Sequence, residues 1–432
     1  MSSELKTNLY HPPYGGVMYQ DSGGLGLRTW EFDGWPQESL SWKNGCYIHG
    51  GLSGGIYSVK GPDAKEFLKF ICINSFENFP VGSMKHAVMC NEDGLIETHG
   101  IIQRIAEDHF TSFAGGPPPP GFAIDSLSKP FDVKVENINW YLFQIAGPTS
   151  LALLEKLMGE NFLDLKFLHQ RNGKVLGEFL QSGKDIPVEI SRIGMARNLA
   201  YELHGPMENA AEIYDAVYRI GQEFGIERIG WNTYWVNHTE GGFPQLTGHF
   251  ISPHLVKAIP TMGIMSGSVD PQNMRARYRT PIEVNWGNLA SSDHDYIGRK
   301  AVEAELANPK RTTVTLRWNM QDVLDVWKTW LEPGEALPLL TMPQAPYRKN
   351  RGGHQDHILF NGKEVGYSSG IIYSYHFREF LSFGCVDIDV SALGTELKIR
   401  WGDFGGRTQD IRATVELFPY LSKGKFGQPD PK

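Results

Sequence analysis

One arrangement occurs twice in this chain, and it restricts the available folds more than any other feature. Ile56-Tyr57-Ser58-Val59-Lys60 runs into Gly61-Pro62-Asp63-Ala64 and then Phe67-Leu68-Lys69-Phe70-Ile71. Leu142-Phe143-Gln144-Ile145-Ala146 runs into Gly147-Pro148-Thr149-Ser150 and then Leu151-Ala152-Leu153-Leu154. Each is a short apolar run, a Gly-Pro break and an amphipathic segment. Proline presets φ for a first helical turn, and a nearby Asp or Thr can accept that turn's unpaired N–H groups. Both stretches therefore predict strand, tight turn, helix. Two of them predict an organised α+β module.

The pattern around them extends this reading. A helix is expected over 61–71, and strands over 86–91, 100–105 and 110–114. Pro117, Pro118, Pro119 and Pro120 then form a stiff surface loop, since such a run cannot join a central sheet. Further strands lead through 187–193 to 199–204, and apolar residues at helical spacing predict a helix over 210–225. After Pro309 the pattern changes to strands over 312–318, 364–372, 380–386 and 413–417, with a short helical stretch near 323–330. That is an all-β C-terminal domain.

Composition excludes several functions. The 432 residues are 41% hydrophobic and 21% charged, which suits a globular chain of two or three domains. A net charge of −8 argues against nucleic acid as the main partner. No apolar run reaches membrane-spanning length, and Met1-Ser2-Ser3-Glu4-Leu5-Lys6 lacks the apolar core of a signal peptide, so a cytoplasmic location is expected. Cys46, Cys72, Cys90 and Cys385 stand far apart, with no CxxC or CxxH pair, so neither a disulfide framework nor a metal site is expected. Phosphate-loop, dinucleotide-binding and HExxH signatures are absent. The chemistry must come from side chains and a cofactor held without those motifs.

Five motifs in fixed order carry a resemblance. They are Asn91-Glu92-Asp93-Gly94-Leu95-Ile96 after the first Gly-Pro unit, Tyr201-Glu202-Leu203 after the second, Gly225-Ile226-Glu227-Arg228-Ile229-Gly230, Asp295-Tyr296-Ile297-Gly298-Arg299-Lys300-Ala301, and Gly366-Tyr367-Ser368-Ser369-Gly370. Together they resemble the aminomethyltransferase fold family, the folate-binding T-protein of glycine cleavage and its relatives, over residues 46–425. The departures narrow the resemblance. Glu97-Thr98-His99 replaces an acidic pair, Gly194-Met195-Ala196-Arg197-Asn198 replaces Gly-Tyr-Thr-Gly-Glu, and Asn232-Thr233-Tyr234-Trp235-Val236-Asn237-His238 replaces an Arg-Asp-rich helix. What remains is similar to the tetrahydrofolate-dependent aryl O-demethylases of lignin catabolism, which handle vanillate, syringate and 3-O-methylgallate.

That resemblance implies a three-domain α+β cloverleaf. Residues 1–55 and 140–305 would form the folate-binding domain, 56–139 an inserted α+β domain, and 311–425 a C-terminal β-barrel that closes the folate site. It implies methyl transfer from a methoxyarene to N5 of tetrahydrofolate, giving 5-methyltetrahydrofolate and a phenol. Two alternatives stay open: a sulfonium or methylamine donor on the same fold, and a folate-binding protein without turnover. The difficulty in demethylation is the leaving aryloxide, which needs a proton or strong hydrogen bonds. A tyrosine, with a pKa of about 10, matches a phenol and can share its proton at little cost. Tyr234 is the candidate, with His99 as a relay. Glu202 would accept the N3–H and 2-amino group of the pterin, a planar bidentate match. Trp231 and Tyr201 complete the expected folate site. Arg104 either pairs with a structural carboxylate or binds a substrate carboxylate or phenolate. His49, Tyr19 and His238 are the remaining substrate-binding candidates.

Overall fold

The computed structural model describes residues 18–21, 27–50, 55–114, 129–194, 198–340 and 353–423. Pro117, Pro118, Pro119 and Pro120 lie outside the described residues, as do Met195, Ala196 and Arg197.

Both Gly-Pro units fold as strand, turn and helix: Ile56–Lys60 into Ala64–Ile71, and Trp140–Ala146 into Ser150–Met158. The repeated glycine has a backbone cause. Gly61 and Gly147 sit at φ 147° and 129°, where residues with side chains are rarely found. A Cβ on Gly61 would stand 2.3 Å from the Asp132 carbonyl oxygen, and one on Gly147 2.3 Å from that of Gly45. The polar residues after the prolines do not cap the helices as expected. Asp63 Oδ2 accepts instead from the Asp132 N–H at 2.8 Å, and Thr149 Oγ1 donates to the Phe224 carbonyl at 2.7 Å. Each polar residue clamps a neighbouring segment.

The duplication continues past the helices. Met84–Cys90, Ile96–Ala106 and His109–Ala114 form an antiparallel meander whose last strand pairs with Ile56–Lys60. His169–Val175, Ile186–Arg192 and Ala200–Pro206 do the same and close on Trp140–Ala146. Lys134–Ile138 completes the first sheet as its fifth strand. Cys46–His49 and, parallel to it, Ile226–Arg228 complete the second as six strands. The sheets meet at their edges, where Ser83 bridges to His169.

From Arg311 the chain forms a closed antiparallel barrel of six strands, in the order Arg311–Trp318, Glu379–Asp387, Lys363–Ser374, Asp356–Phe360, Glu396–Gly402 and Thr408–Glu416. Leu316, Trp318, Ile358, Phe380, Trp401 and Ile411 fill it. This is the all-β C-terminal unit that the strand pattern predicts, with the helix Met320–Lys328 beside it. The helix Ala210–Gly221 stops short of its predicted end because a tighter turn, Gln222–Phe224, runs into left-handed Gly225. No helix among the described residues is long and apolar enough to cross a membrane. The four cysteines are buried free thiols.

Candidate active site

The six-stranded sheet has two unlike faces because successive side chains point to opposite sides. Phe143, Ile145, Ile190, Tyr201 and Leu203 pack into a core with the helices Ser150–Met158 and Ala210–Gly221. The other face carries a polar row. His49 stands opposite Gln144, Gln144 opposite Glu202, Glu202 opposite Ser191, and Ser191 opposite Gln170. Tyr47 Oη donates to Gln144 Oε1 at 2.6 Å, and Gln144 Nε2 lies 3.5 Å from Glu202 Oε1. His204 Nε2 is 3.2 Å from Glu202 Oε2. The row crosses between sheets, where Gln103 Nε2 donates to Ser191 Oγ at 2.9 Å. Glu202 is 9% exposed.

The helix Trp231–Gly241 covers the His49 end of the row, and all of its residues are buried. Its N-terminus is set by Gly230, where a Cβ would stand 2.0 Å from the Trp30 carbonyl oxygen. Glu38, fully buried, satisfies the first turn: it accepts from Gly230 N–H at 2.9 Å and Thr233 Oγ1 at 2.6 Å, and also from Phe32 N–H. A carboxylate there also meets the positive end of the helix dipole. Burial raises the Glu38 pKa, and these donors work against that rise. At the other end, Glu240 pairs with Lys43 at 2.6 Å, with both side chains at most 2% exposed, and accepts from Ser374 Oγ of the barrel. Thr239 Oγ1 donates to the Gly370 carbonyl at 3.1 Å. The helix is thus pinned at its start by the N-terminal segment and at its end by the barrel.

Aromatic rings and histidines gather along this helix. Tyr234 stacks on His49, with centroids 4.5 Å apart and planes at 13°, and its other neighbour is His238 at 4.0 Å. Trp231 meets both His49 and Tyr234 edge-on, at 5.5 and 5.0 Å. Phe243 lies 5.8 Å from His238 and 5.8 Å from His99, and Trp286 lies 4.8 Å from His99. His99 Nδ1 is 3.2 Å from His86 Nε2. Burial keeps these imidazoles neutral: it lowers His86 to about 4, His238 to about 3, and His99 well below its ordinary value.

The structure therefore brings together Tyr234, His49, Trp231 and His238, with His99 on the facing wall. Glu202 lies two strands from His49, roughly 10 Å away at ordinary strand spacing. Tyr201 does not join them. It alternates to the opposite face from Glu202 and is fully buried in the helix-covered core. Arg104 does not join them either. It points away from His99 and Gln103, and its guanidinium donates to the carbonyls of Phe79 at 2.6 Å and Glu107 at 3.2 Å. It also pairs with the Glu107 carboxylate at 2.6 Å, which is the structural one of its two expected roles. Tyr19 belongs to the strand Met18–Asp21, and its side chain lies outside the described residues. Sequence reasoning missed Gln144, His204, Glu38 and the Lys43–Glu240 pair. Only Gln144 carried a signal, as the one polar side chain within the apolar run of the second Gly-Pro unit.

The GCVT N-terminal domain family matches residues 10–254. The chain belongs to this aminomethyltransferase family. Two relatives match it over nearly their whole length: the sesamin methylene transferase of Sinomonas sp. (strain No.22) is 35% identical over 430 residues, covering 94% of this chain and 92% of that one. The syringate O-demethylase of Sphingobium sp. (strain NBRC 103272 / SYK-6) is 26% identical over 432 residues, covering 93% and 91%. Among solved structures, the glycine cleavage system aminomethyltransferase T from Bartonella henselae superposes with a TM-score of 0.65 at 17% identity, covering 94% of each chain. That likeness concerns the fold.

Proposed function

We propose that this family member moves a one-carbon unit from an aromatic ether oxygen to tetrahydrofolate. In the leading form, ArOCH3 and tetrahydrofolate give ArOH and 5-methyltetrahydrofolate: the O–CH3 bond breaks, the N5–CH3 bond forms, and the proton lost from N5 balances the one gained by the aryloxide. The observation that carries this reading is Tyr234, a phenol stacked on His49 and packed against the His238 imidazole in a buried aromatic chamber beside a polar row. A leaving aryloxide in such a chamber has little water to stabilise it, so a matched phenolic O–H beside it acts as donor.

The residues fit a pterin at the other end of the site. Glu202 offers carboxylate oxygens with lone pairs to spare, and Gln144 offers an amide in the same row. Trp231 supplies a flat apolar wall near His49. A sulfonium or methylamine donor would leave as a neutral group and would have no use for the Tyr234 hydroxyl. A reaction drawing on reduced folate also suits the cytoplasm.

A second reading keeps the site and changes the unit transferred. The relative at 35% identity is named a methylene transferase, which favours a methylenedioxy ring as donor. Then ArO2CH2 and tetrahydrofolate give a catechol and 5,10-methylenetetrahydrofolate, with two C–O bonds exchanged for two C–N bonds. One experiment separates all of these. The protein is incubated anaerobically with tetrahydrofolate and, in turn, methoxyphenols, methoxybenzoates, methylenedioxybenzenes, dimethylsulfoniopropionate and dimethylglycine, and folates are resolved by mass. 5-Methyltetrahydrofolate from methoxyarenes supports the leading form, and 5,10-methylenetetrahydrofolate supports the second. Product only from the sulfonium or amine, or from none, refutes both.

A further inference from the structure

His204 follows Glu202 by two residues on one strand, so both side chains project from the same face. Its Nε2 lies 3.2 Å from Glu202 Oε2. A carboxylate only accepts, so Nε2 carries the ring proton and Nδ1 is left with a bare lone pair. That Nδ1 is buried and has no hydrogen-bond partner among the described residues. Glu189 stands opposite His204 on the next strand, but its Oε2 is unpartnered too, so neither completes the other. The imidazole otherwise meets the Phe113 ring at 4.6 Å and stands across from Leu142. A buried acceptor without a donor lowers stability. For packing against Phe113 and Leu142 a phenylalanine would serve without that penalty. What the imidazole adds here is the N–H held against Glu202.

The other oxygen of Glu202 is held from the neighbouring strand. Tyr47 Oη donates to Gln144 Oε1 at 2.6 Å, which turns the amide nitrogen toward Glu202 Oε1, 3.5 Å away. One donor on each oxygen fixes the plane of the carboxylate and leaves each oxygen a free lone pair. The group is then oriented before a ligand arrives, and binding need not order it.

We propose that His204 is a positioning residue for folate recognition: its Nε2–H holds the Glu202 carboxylate in the plane that receives two N–H groups of the pterin head. This rests on the folate reading above and assigns no contact between His204 and the ligand.

Calorimetric binding of tetrahydrofolate to the full chain, with no aromatic donor present, tests this. His204→Phe keeps a ring against Phe113 and removes the N–H, so Kd should rise about 10-fold while the melting temperature holds or increases. His204→Gln returns an N–H donor at similar reach and should recover most of the affinity. A merely structural role would not give the third result: in a Glu202→Ala background, His204→Phe should change Kd by less than about 2-fold. His204→Leu carries the same comparison if the larger Phe ring does not fold. An unmoved Kd, an equal loss with and without Glu202, no recovery in His204→Gln, or loss of folding in both the Phe and the Leu variants overturns the proposal and leaves the transfer reading standing alone. No tetrahydrofolate binding by the wild type overturns both. Binding that depends on His204 through Glu202, with no folate product from any donor, would sink the transfer reading while the positioning role stands.

Discussion

Replacing His238 by Phe should make the protein measurably less sensitive to acid, and the size of the effect follows from burial. His238 is 0% exposed, and burial lowers its pKa from 6.5 to about 3. At pH 5 the native ring stays neutral while the unfolded chain binds a proton, so stability is present above pH 6.5 and is lost as pH falls toward 3. Protonation of the unfolded ring favours unfolding by about 0.2 kcal/mol at pH 7 and about 2 kcal/mol at pH 5. The native ring adds almost nothing at pH 5. Other groups titrate nearby: His86, His99 and His249 act in the same direction. Glu38, Glu97 and Glu189, raised by burial, take up protons in the native state and act in the opposite one. Wild type and variant share all six, so a difference between the two proteins removes them. Urea unfolding followed by tryptophan fluorescence at pH 7 and pH 5 gives that difference. The stability lost between the two pH values should be smaller in His238→Phe by about 2 kcal/mol. Equal losses would mean that His238 takes a proton in the native state, and that burial does not hold the ring neutral.

Three other substitutions test the rest of the site. Tyr234→Phe keeps the stacked ring and removes the donor, so turnover of a methoxyarene should fall by about 10²–10⁴-fold, mainly in kcat. The loss should shrink for rings with electron-withdrawing substituents, and a Phe variant of near-normal activity would place the proton elsewhere. Glu202→Ala should weaken tetrahydrofolate binding by about 1.5–3 kcal/mol, measured by calorimetry, with melting nearly unchanged. An unchanged Kd removes Glu202 from the folate site. Lys43→Met leaves Glu240 charged and unpaired in the interior and should cost about 3–5 kcal/mol in urea unfolding, much of it regained on adding Glu240→Gln.

Local signals carried the parts of the fold that depend on the backbone alone. The Gly-Pro repeats were legible because Gly61 and Gly147 answer to φ angles and close carbonyls, which act at one residue. Four of the six barrel strands were legible because their alternation is short-range; Asp356–Phe360 and Glu396–Gly402 were not read. Side-chain roles that depend on register were not. Tyr201 and Glu202 are adjacent in the chain, and the motif alone does not say which one faces the core; the pairing of Glu202 with Gln144 does. Arg104 depends on register in the same way: one strand face away from His99, it takes the structural one of its two expected roles. The helix Trp231–Gly241 shows the limit most plainly. A helix buried on every side has no apolar stripe to read, and its Asn232, Thr233, Thr239 and Glu240 are tolerated because Glu31, Glu38, Lys43, His249 and the barrel meet them.

The internal duplication also explains why the site lies where it does. In each sheet the helix covers one face and leaves the other for polar side chains. His99 and Gln103 occupy that second face in the first sheet; His49, Gln144, Glu202 and Ser191 occupy it in the second. The Gln103–Ser191 hydrogen bond makes the two faces continuous, so a single polar floor runs under both. The helix Trp231–Gly241, anchored to the barrel through Glu240 and Thr239, then closes one end of that floor with Tyr234 and His238. On the function proposed above, a flat polar head would lie toward Glu202 and Gln144 and an apolar ring toward Tyr234. Loosening the barrel should therefore act on the ring end first. Ser374→Ala, which removes the barrel's hydrogen bond to Glu240, should raise KM for the aromatic donor more than KM for tetrahydrofolate. An equal rise in both would mean that the barrel supports the floor as a whole and not the Tyr234 end.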